Sequence, residues 1–297
     1  MEKDSVESVV TEKKRDFKRM FINFLILFLI LTVGLIMYSR YVSTKGLIVK
    51  EYRVSSEKIP YNFSGVKIIH FSDVLFKSTV NLDDIKNMVT KMNELKPDIV
   101  VFTGGLISEE ASLSEEEISE LASVLNDIDY TIGKYAVKGD EDGDDFSIIM
   151  EDAGFNVLNN EGEFVYNKAL TPIFIAGLSS SIKDAIDITS SFEVVDKDSN
   201  KDAYYKILLM HEGDSAVSVL KERDDVDLIL AGNSLNGSIV IPFYGGVLST
   251  RGSDTYKEPF YEVNNTLIYV SSGLGTKNIY YRFNNKPSFN FYRLKSL

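Results

Sequence analysis

The chain has 297 residues, 44% of them hydrophobic, which is enough to bury one large core. Its net charge of −12 excludes a nucleic-acid binder, because a phosphate backbone selects basic surfaces. The absence of cysteine excludes disulfides, thiolate metal sites and a cysteine nucleophile, and the 2 histidines, His70 and His211, are few for a metal enzyme.

Residues 21–38 (FINFLILFLILTVGLIMY) carry no charge. At about 1.5 Å per residue, a helix of that length matches a hydrocarbon core of about 30 Å. Lys13, Lys14, Arg15, Lys18 and Arg19 precede it, whereas Arg40 and Lys45 follow it closely. The positive-inside rule therefore puts residues 1–20 in the cytoplasm as a tail and everything after the span outside. The stretch Tyr38-Ser39-Arg40-Tyr41-Val42-Ser43 lacks the small-x-small pattern of a signal-peptidase site, which favours an uncleaved single-pass anchor. Residues 39–46 read as a short polar stalk and residues 47–297 as one domain.

Within that domain, residues 47–54 are rich in strand formers, and 66–71 is an almost wholly apolar run, as in a strand buried on both faces. Leu82, Ile85, Met88, Val89, Met92 and Leu95 fall at helical spacing. Further strands are predicted over 98–102, 135–137, 173–177, 207–210, 228–230 and 267–270, with helices over 115–128 and 146–153. Residues 183–203 are polar and read as a solvated surface excursion. The alternation defines an α/β class with packed sheets.

Five segments after strands hold the polar residues with chemical potential. They are Phe71-Ser72-Asp73-Val74-Leu75, Phe102-Thr103-Gly104-Gly105-Leu106, Lys138-Gly139-Asp140-Glu141-Asp142, Leu208-Leu209-Met210-His211 and Leu230-Ala231-Gly232-Asn233-Ser234-Leu235-Asn236-Gly237. In order and spacing they resemble the calcineurin-like metallophosphoesterases, which carry D-x-H, G-D, G-N-H-D, a lone H and G-H-x-H. Ser56 to Gly65, the run Ala153 to Glu161, Ile175 to Leu178, Tyr269 to Thr276 and Arg282 to Pro287 extend the resemblance toward membrane-associated bacterial members. It implies a four-layer α/β/β/α sandwich of two mixed β-sheets, preceded here by the transmembrane helix.

The resemblance also assigns roles. Asp73 stands at a first-metal ligand, but Leu75 replaces its histidine partner and Gly105 replaces the bridging aspartate. Asp140 replaces a second-metal asparagine, and Glu141 replaces the histidine that acts on the leaving group. Asp142 and His211 are retained, while Asn233 and Leu235 replace two histidines. A two-metal site needs a bridging carboxylate and several N or O donors, so hydrolysis is not implied.

The leading expectation is a membrane-anchored pseudoenzyme that binds or scaffolds at a bacterial cell envelope, without a cofactor. Its partner would be an envelope protein or a phosphorylated lipid or cell-wall ligand. A second reading is a weak hydrolase holding one manganese, iron or zinc ion at Asp140, His211 and Asn233. A third is calcium at the acidic loop of Asp140, Asp142, Asp144 and Asp145, serving adhesion or stability. His70, inside an apolar strand, reads as a satisfied core histidine.

Overall fold

The computed structural model describes residues 2–297, with side chains from residue 17 onward. The side chains of Lys13, Lys14 and Arg15, on which the expected orientation leans, lie outside the described residues. Helix α1 (Glu2–Met37) runs into a π-helical turn at Tyr38–Val42. Its apolar stretch Phe17–Val42 is long enough to cross a membrane and is not buried against the rest of the chain. Where the sequence reads as a stalk, Ser39, Ser43 and Thr44 are buried against the domain.

The strands are β1 (Ile48–Ser56), β2 (Lys67–Phe71), β3 (Ile99–Thr103), β4 (Gly133–Val137), β5 (Asn156–Val157), β6 (Glu161–Val165), β7 (Ile173–Gly177), β8 (Lys206–Glu212), β9 (Leu228–Gly232), β10 (Val240–Ile241), β11 (Gly245–Gly246), β12 (Phe260–Val263), β13 (Thr266–Val270) and β14 (Ser288–Ser296). One sheet has the order β1-β14-β2-β3-β4-β5 and the other β12-β13-β9-β8-β7-β6, with β10 and β11 forming a separate hairpin. Both large sheets are mixed: β2 to β5 run parallel while β14 pairs β2 antiparallel, and β13-β9-β8-β7 is parallel between antiparallel edges.

The two-residue period of β2 explains the layering. Ile69 and Phe71 face outward to the core beneath the helices, whereas Ile68 faces the space between the sheets. Helices α2 (Leu82–Leu95), α3 (Glu115–Asn126) and α4 (Asp145–Asp152) cover the outer face of the first sheet through Ile85, Met88, Leu121, Leu125, Phe146 and Ile149. Capping boxes start two of them, with Asn81 and Asp84 on α2 and Ser114 and Glu117 on α3. Between the sheets lie Val101, Tyr135, Ile175, Leu209, Leu230 and Tyr292. The result is the four-layer sandwich expected from the sequence.

One expectation is corrected. The polar run 183–203 contains helix α5 (Ile188–Asp196), whose Ile188, Phe192 and Val195 are buried in the core outside the second sheet beside α6 (Ser215–Glu222). Three apolar side chains at i, i+4 and i+7 suffice to dock a helix even where the flanks are heavily charged.

His70 is fully buried between the sheets. Its Nε2 meets Thr103 Oγ1 at 2.8 Å and its Nδ1 meets the Tyr292 hydroxyl at 3.3 Å. Burial pushes its pKa down to about 3, so it is a neutral, satisfied core residue, as the sequence suggested.

Candidate functional site

All five sequence segments lie at the C-terminal ends of parallel strands, after β2, β3, β4, β8 and β9, and they meet at one edge of the two sheets. The turns that aim them are unusual. Asp73, Leu75, Asn233, Leu235 and Asn236 all have φ between 45° and 65°, a left-handed backbone disfavoured by about 1–2 kcal/mol in ordinary L residues. Such a conformation persists at Leu75 and Leu235 only because surrounding contacts over-determine it.

Asp73 is the hub of the first half of the site. It is buried, its Oδ2 accepts from the Asn233 amide at 3.0 Å and from the Ser72 hydroxyl, and its carbonyl accepts from Leu274 and Gly275. Burial raises its pKa, against the opposing charges and hydrogen bonds of His211, Ser72, Lys277 and Asn233. Leu75 and Leu235 fill the space around it and pack on the turn Gly273–Gly275. A Cβ on Gly275 would lie 2.6 Å from the Leu75 Cβ, and one on Gly273 would lie 2.7 Å from the Leu235 Cδ2. Gly105 has φ 77°, and a Cβ there would sit 3.0 Å from the Asp73 Cα and 3.1 Å from its Oδ1. A carboxylate side chain at this position would therefore be crowded as well as repelled.

Asp142 turns inward. Its Oδ2 accepts from the Gly105 and Gly139 amides at 2.9 and 2.8 Å, and its Oδ1 from the Leu106 amide at 2.7 Å. It ties the loop after β3 to the loop after β4 and has no free oxygen for an ion.

The second half of the site is an ionic cluster that includes a residue the sequence reading did not single out. The Lys277 Nζ lies 3.1 Å from each Asp140 oxygen, 2.9 Å from Glu141 Oε1 and 3.2 Å from Asn233 Oδ1. His211 Nδ1 donates to the Thr103 carbonyl at 2.6 Å, and its Nε2 faces Asp140 Oδ1 at 3.2 Å. Burial alone would lower the His211 pKa. The Asp140 hydrogen bond and the charges of Asp73, Glu212 and Asp140 outweigh it and raise it to about 10. His211 is then an imidazolium donating from both nitrogens.

Burial works against the Asp140 carboxylate, but its hydrogen bond and charge contacts to His211 and Lys277 hold its pKa well below the usual range. Glu141 is pushed up by burial, with Lys277 pulling the other way. Lys277 is lowered by burial but raised above its ordinary value by Asp140 and Glu141. Its loop is braced by the fully buried Arg282, whose Nε and Nη2 donate to the Gly275 carbonyl and Nη2 also to the Ser272 carbonyl at 2.8 Å.

Whether a divalent ion suits these residues follows from their donors. Asp140, His211 and Glu212 offer ligand atoms within 4.8 Å of one another, a partial metal-binding group. Every one of those atoms already has a partner. Glu212 accepts from the Ser180 hydroxyl at 2.5 Å and from the Ser181 amide at 2.9 Å. Both Asp140 oxygens face the Lys277 ammonium, and an ion at His211 Nε2 would have to displace the hydrogen that this nitrogen shares with Asp140. Asn233, the third ligand of the one-metal reading, spends its Oδ1 on Lys277 and its Nδ2 on the Arg251 carbonyl at 2.7 Å. As arranged, the set fits the lysine ammonium and not a metal ion. In the acidic loop, Asp140 and Asp142 are turned to these separate tasks, while Asp144 and Asp145 stand at the start of α4. The loop is not wound around one point.

A two-sheet sandwich with these five loops gathered at one edge is the architecture that the resemblance to the metallophosphoesterases implies. Sequence comparison with a curated relative agrees. The chain is 30% identical over 265 residues to the uncharacterized metallophosphoesterase YkuE of Bacillus subtilis, covering 87% of this chain and 89% of that protein. It is 24% identical to a transmembrane protein with metallophosphoesterase domain from Danio rerio, over 84% of this chain and 58% of that longer protein. Among solved structures, the calcineurin-like phosphoesterase YfkN of Bacillus subtilis aligns over 70% of this chain and 81% of its own, at 12% identity and a TM-score of 0.43. No family model matches. The chain belongs to the metallophosphoesterase family.

Lys277 directly follows the Gly273-Leu274-Gly275-Thr276 turn and lies outside the five loop segments, so nothing in its own stretch of sequence marks it. The signal for it was indirect. Asp140, Glu141 and Asp73 together put three carboxylates where no basic ligand remains except His211, and such a cluster needs a counter-ion.

Proposed function

We propose that this chain is a membrane-anchored metallophosphoesterase homologue that no longer hydrolyses phosphoesters and serves as a binding or scaffolding module. One observation carries the reading. The Lys277 ammonium sits among Asp140 and Asn233, which stand at second-metal positions in the resemblance, and Glu141, which stands at the leaving-group histidine, so an internal cation takes the place of an external one. With Gly105 offering no bridging carboxylate and Leu75 and Leu235 no imidazole, nothing remains to activate water or to clamp a phosphoryl group. The anchor is α1, with residues 1–20 cytoplasmic and the domain outside, on the asymmetry of basic residues around the span.

The mouth beside Lys277 is lined by Glu109, Glu110 and Glu141. Acidic side chains there repel phosphorylated ligands, which favours a protein partner over a phosphorylated lipid or cell-wall fragment. The one-metal hydrolase is kept as the second reading by the grouping of Asp140, His211 and Glu212.

Two variants of the full-length protein separate the readings. The wild type should take up no manganese, iron or zinc in stoichiometric amount and hydrolyse no generic phosphoester above background. Lys277→Ala, which vacates the position among Asp140, Glu141 and Asn233, should gain measurable binding of a divalent ion by calorimetry without gaining turnover. Wild-type hydrolysis that depends on added metal and disappears in Asp140→Ala would overturn the proposal and install the one-metal hydrolase.

A further inference from the structure

Directly after the last ligand loop, residues 239–248 (IVIPFYGGVL) contain no charged side chain. They form the β10–β11 hairpin, with Phe243 and Tyr244 at its tip 111% and 78% exposed and Ile241 also exposed. Four consecutive residues of this kind in water are a liability for a soluble domain and point to a partner. The position of the hairpin identifies that partner. Leu35 and Ile36 of α1 line one apolar groove with Ile239, Ile241, Tyr281 and Phe283. The Arg282 amide donates to the Ser39 carbonyl at 3.1 Å, the Tyr38 and Phe283 rings meet edge to face, and the Val240 amide donates to the Phe283 carbonyl at 2.9 Å.

The hairpin is thus fixed against the end of the membrane helix. Arg40 follows within two turns, its guanidinium 5.3 Å from the centre of the Tyr280 ring, and marks the headgroup level. Leu35 lies five residues before Arg40, or roughly 7.5 Å deeper at 1.5 Å per residue. That depth falls within the 5–10 Å at which interfacial apolar segments rest.

We infer that the Ile239–Tyr244 side of the hairpin is seated in the lipid bilayer interface beside α1, so that the domain lies against the membrane and its eroded site is held at the headgroup level. The occupant of the apolar groove is lipid acyl chain, because the groove is continuous with the face of a helix that is itself surrounded by lipid. The inference rests on α1 crossing the bilayer and is independent of what the site does. The hairpin leaves Ser238, whose carbonyl accepts from the Phe283 amide, so the ligand loop and the membrane contact share one backbone.

The chain contains no tryptophan, which makes single reporters available. Phe243→Trp, Leu29→Trp and Leu170→Trp are made in the full-length protein and reconstituted into phosphatidylcholine vesicles with or without brominated acyl chains. Leu170 is 93% exposed in the turn before β7, at the end of the sheets opposite the ligand loops. The expected result is bromine quenching at residues 29 and 243, with blue-shifted emission at 243, and none at 170. Quenching at 29 without quenching at 243 overturns the inference while leaving the span intact. Blue-shifted but unquenched emission at 243 also overturns it, and assigns the hairpin to protein, such as a second copy of the chain. No quenching at 29 removes the span and the inference together.

Discussion

A histidine that ligates a metal must be neutral, with a lone pair toward the ion. The two histidines of this chain show how the surroundings decide that. His70 meets only a hydroxyl at each nitrogen and is neutral, pushed down to about 3 by burial. His211 meets a carbonyl and a carboxylate, with Asp73 and Glu212 nearby, and is held protonated to about 10 from an ordinary 6.5. A folded pKa raised above the unfolded one means that the His211 charge stabilises the fold fully below pH 6.5 and loses that contribution as pH rises through about 10. The expected outcome is a stability gap between wild type and His211→Gln that is largest near pH 6 and shrinks toward pH 10, measured by chemical denaturation. The other groups facing the ring are Asp140, Asp73, Glu212 and, through Asp140, Lys277. A gap that widened with pH would mean that His211 is neutral in the folded protein.

The loops carry the history of the site more visibly than the sheets do. Their order and spacing were legible in the sequence, because each follows a short apolar strand and because Gly104, Gly139 and Gly232 stand where backbones approach. Cβ atoms at Gly104 and Gly139 would lie 2.6 and 2.9 Å from the His211 ring, so these glycines make room for one side chain. What the loops now do was not legible. In the sequence Asp142 is one carboxylate of the acidic loop, yet it binds three backbone amides from two loops. Asp142→Ala should therefore leave three buried donors unpaired and lower stability by about 3–5 kcal/mol, whereas Asp144→Ala, at the edge of the same loop, should stay within about 0.5 kcal/mol. Equal effects of the two would mean that the three amides do not depend on the Asp142 carboxylate. Lys277 was hidden for a related reason. It reaches Asn233 across 44 residues of chain, and no local pattern announces a lysine whose partners are assembled only by the fold. Helix α5 was hidden by composition, since its buried face holds only three apolar residues, Ile188, Phe192 and Val195, within a charged run.

At the scale of the whole molecule, α1 contributes no residue to any of the three buried cores among the described side chains. Its described ties to the domain are confined to its C-terminal end, through Leu35 and Ile36 beside the hairpin, the Tyr38–Phe283 ring contact, the segment around Ser39 and Arg40 over the Tyr280 ring. Removing residues 1–37 should accordingly shift the thermal midpoint of the domain by less than about 4 °C, as expected for a loss of about 1 kcal/mol in a fold of this size. Loss of cooperative unfolding in that truncation would show that the membrane helix completes the fold. The sheet order has a further consequence. Strand β14 lies between β1 and β2, pairing Ile48 with Ser288 and His70 with Asn290, so the first sheet cannot close until residues 288–296 have been synthesised. The hydrophobic helix leaves the ribosome more than 240 residues earlier, as residue 42 precedes residue 288 by 246. At about 5–20 residues per second, that interval lasts on the order of ten seconds or more. During it the growing chain is already tethered to the lipid while its central strand does not yet exist. On the proposed topology, a nascent polypeptide in this condition stays threadable, and its passage across the membrane meets no folded first sheet until residues 288–296 have emerged.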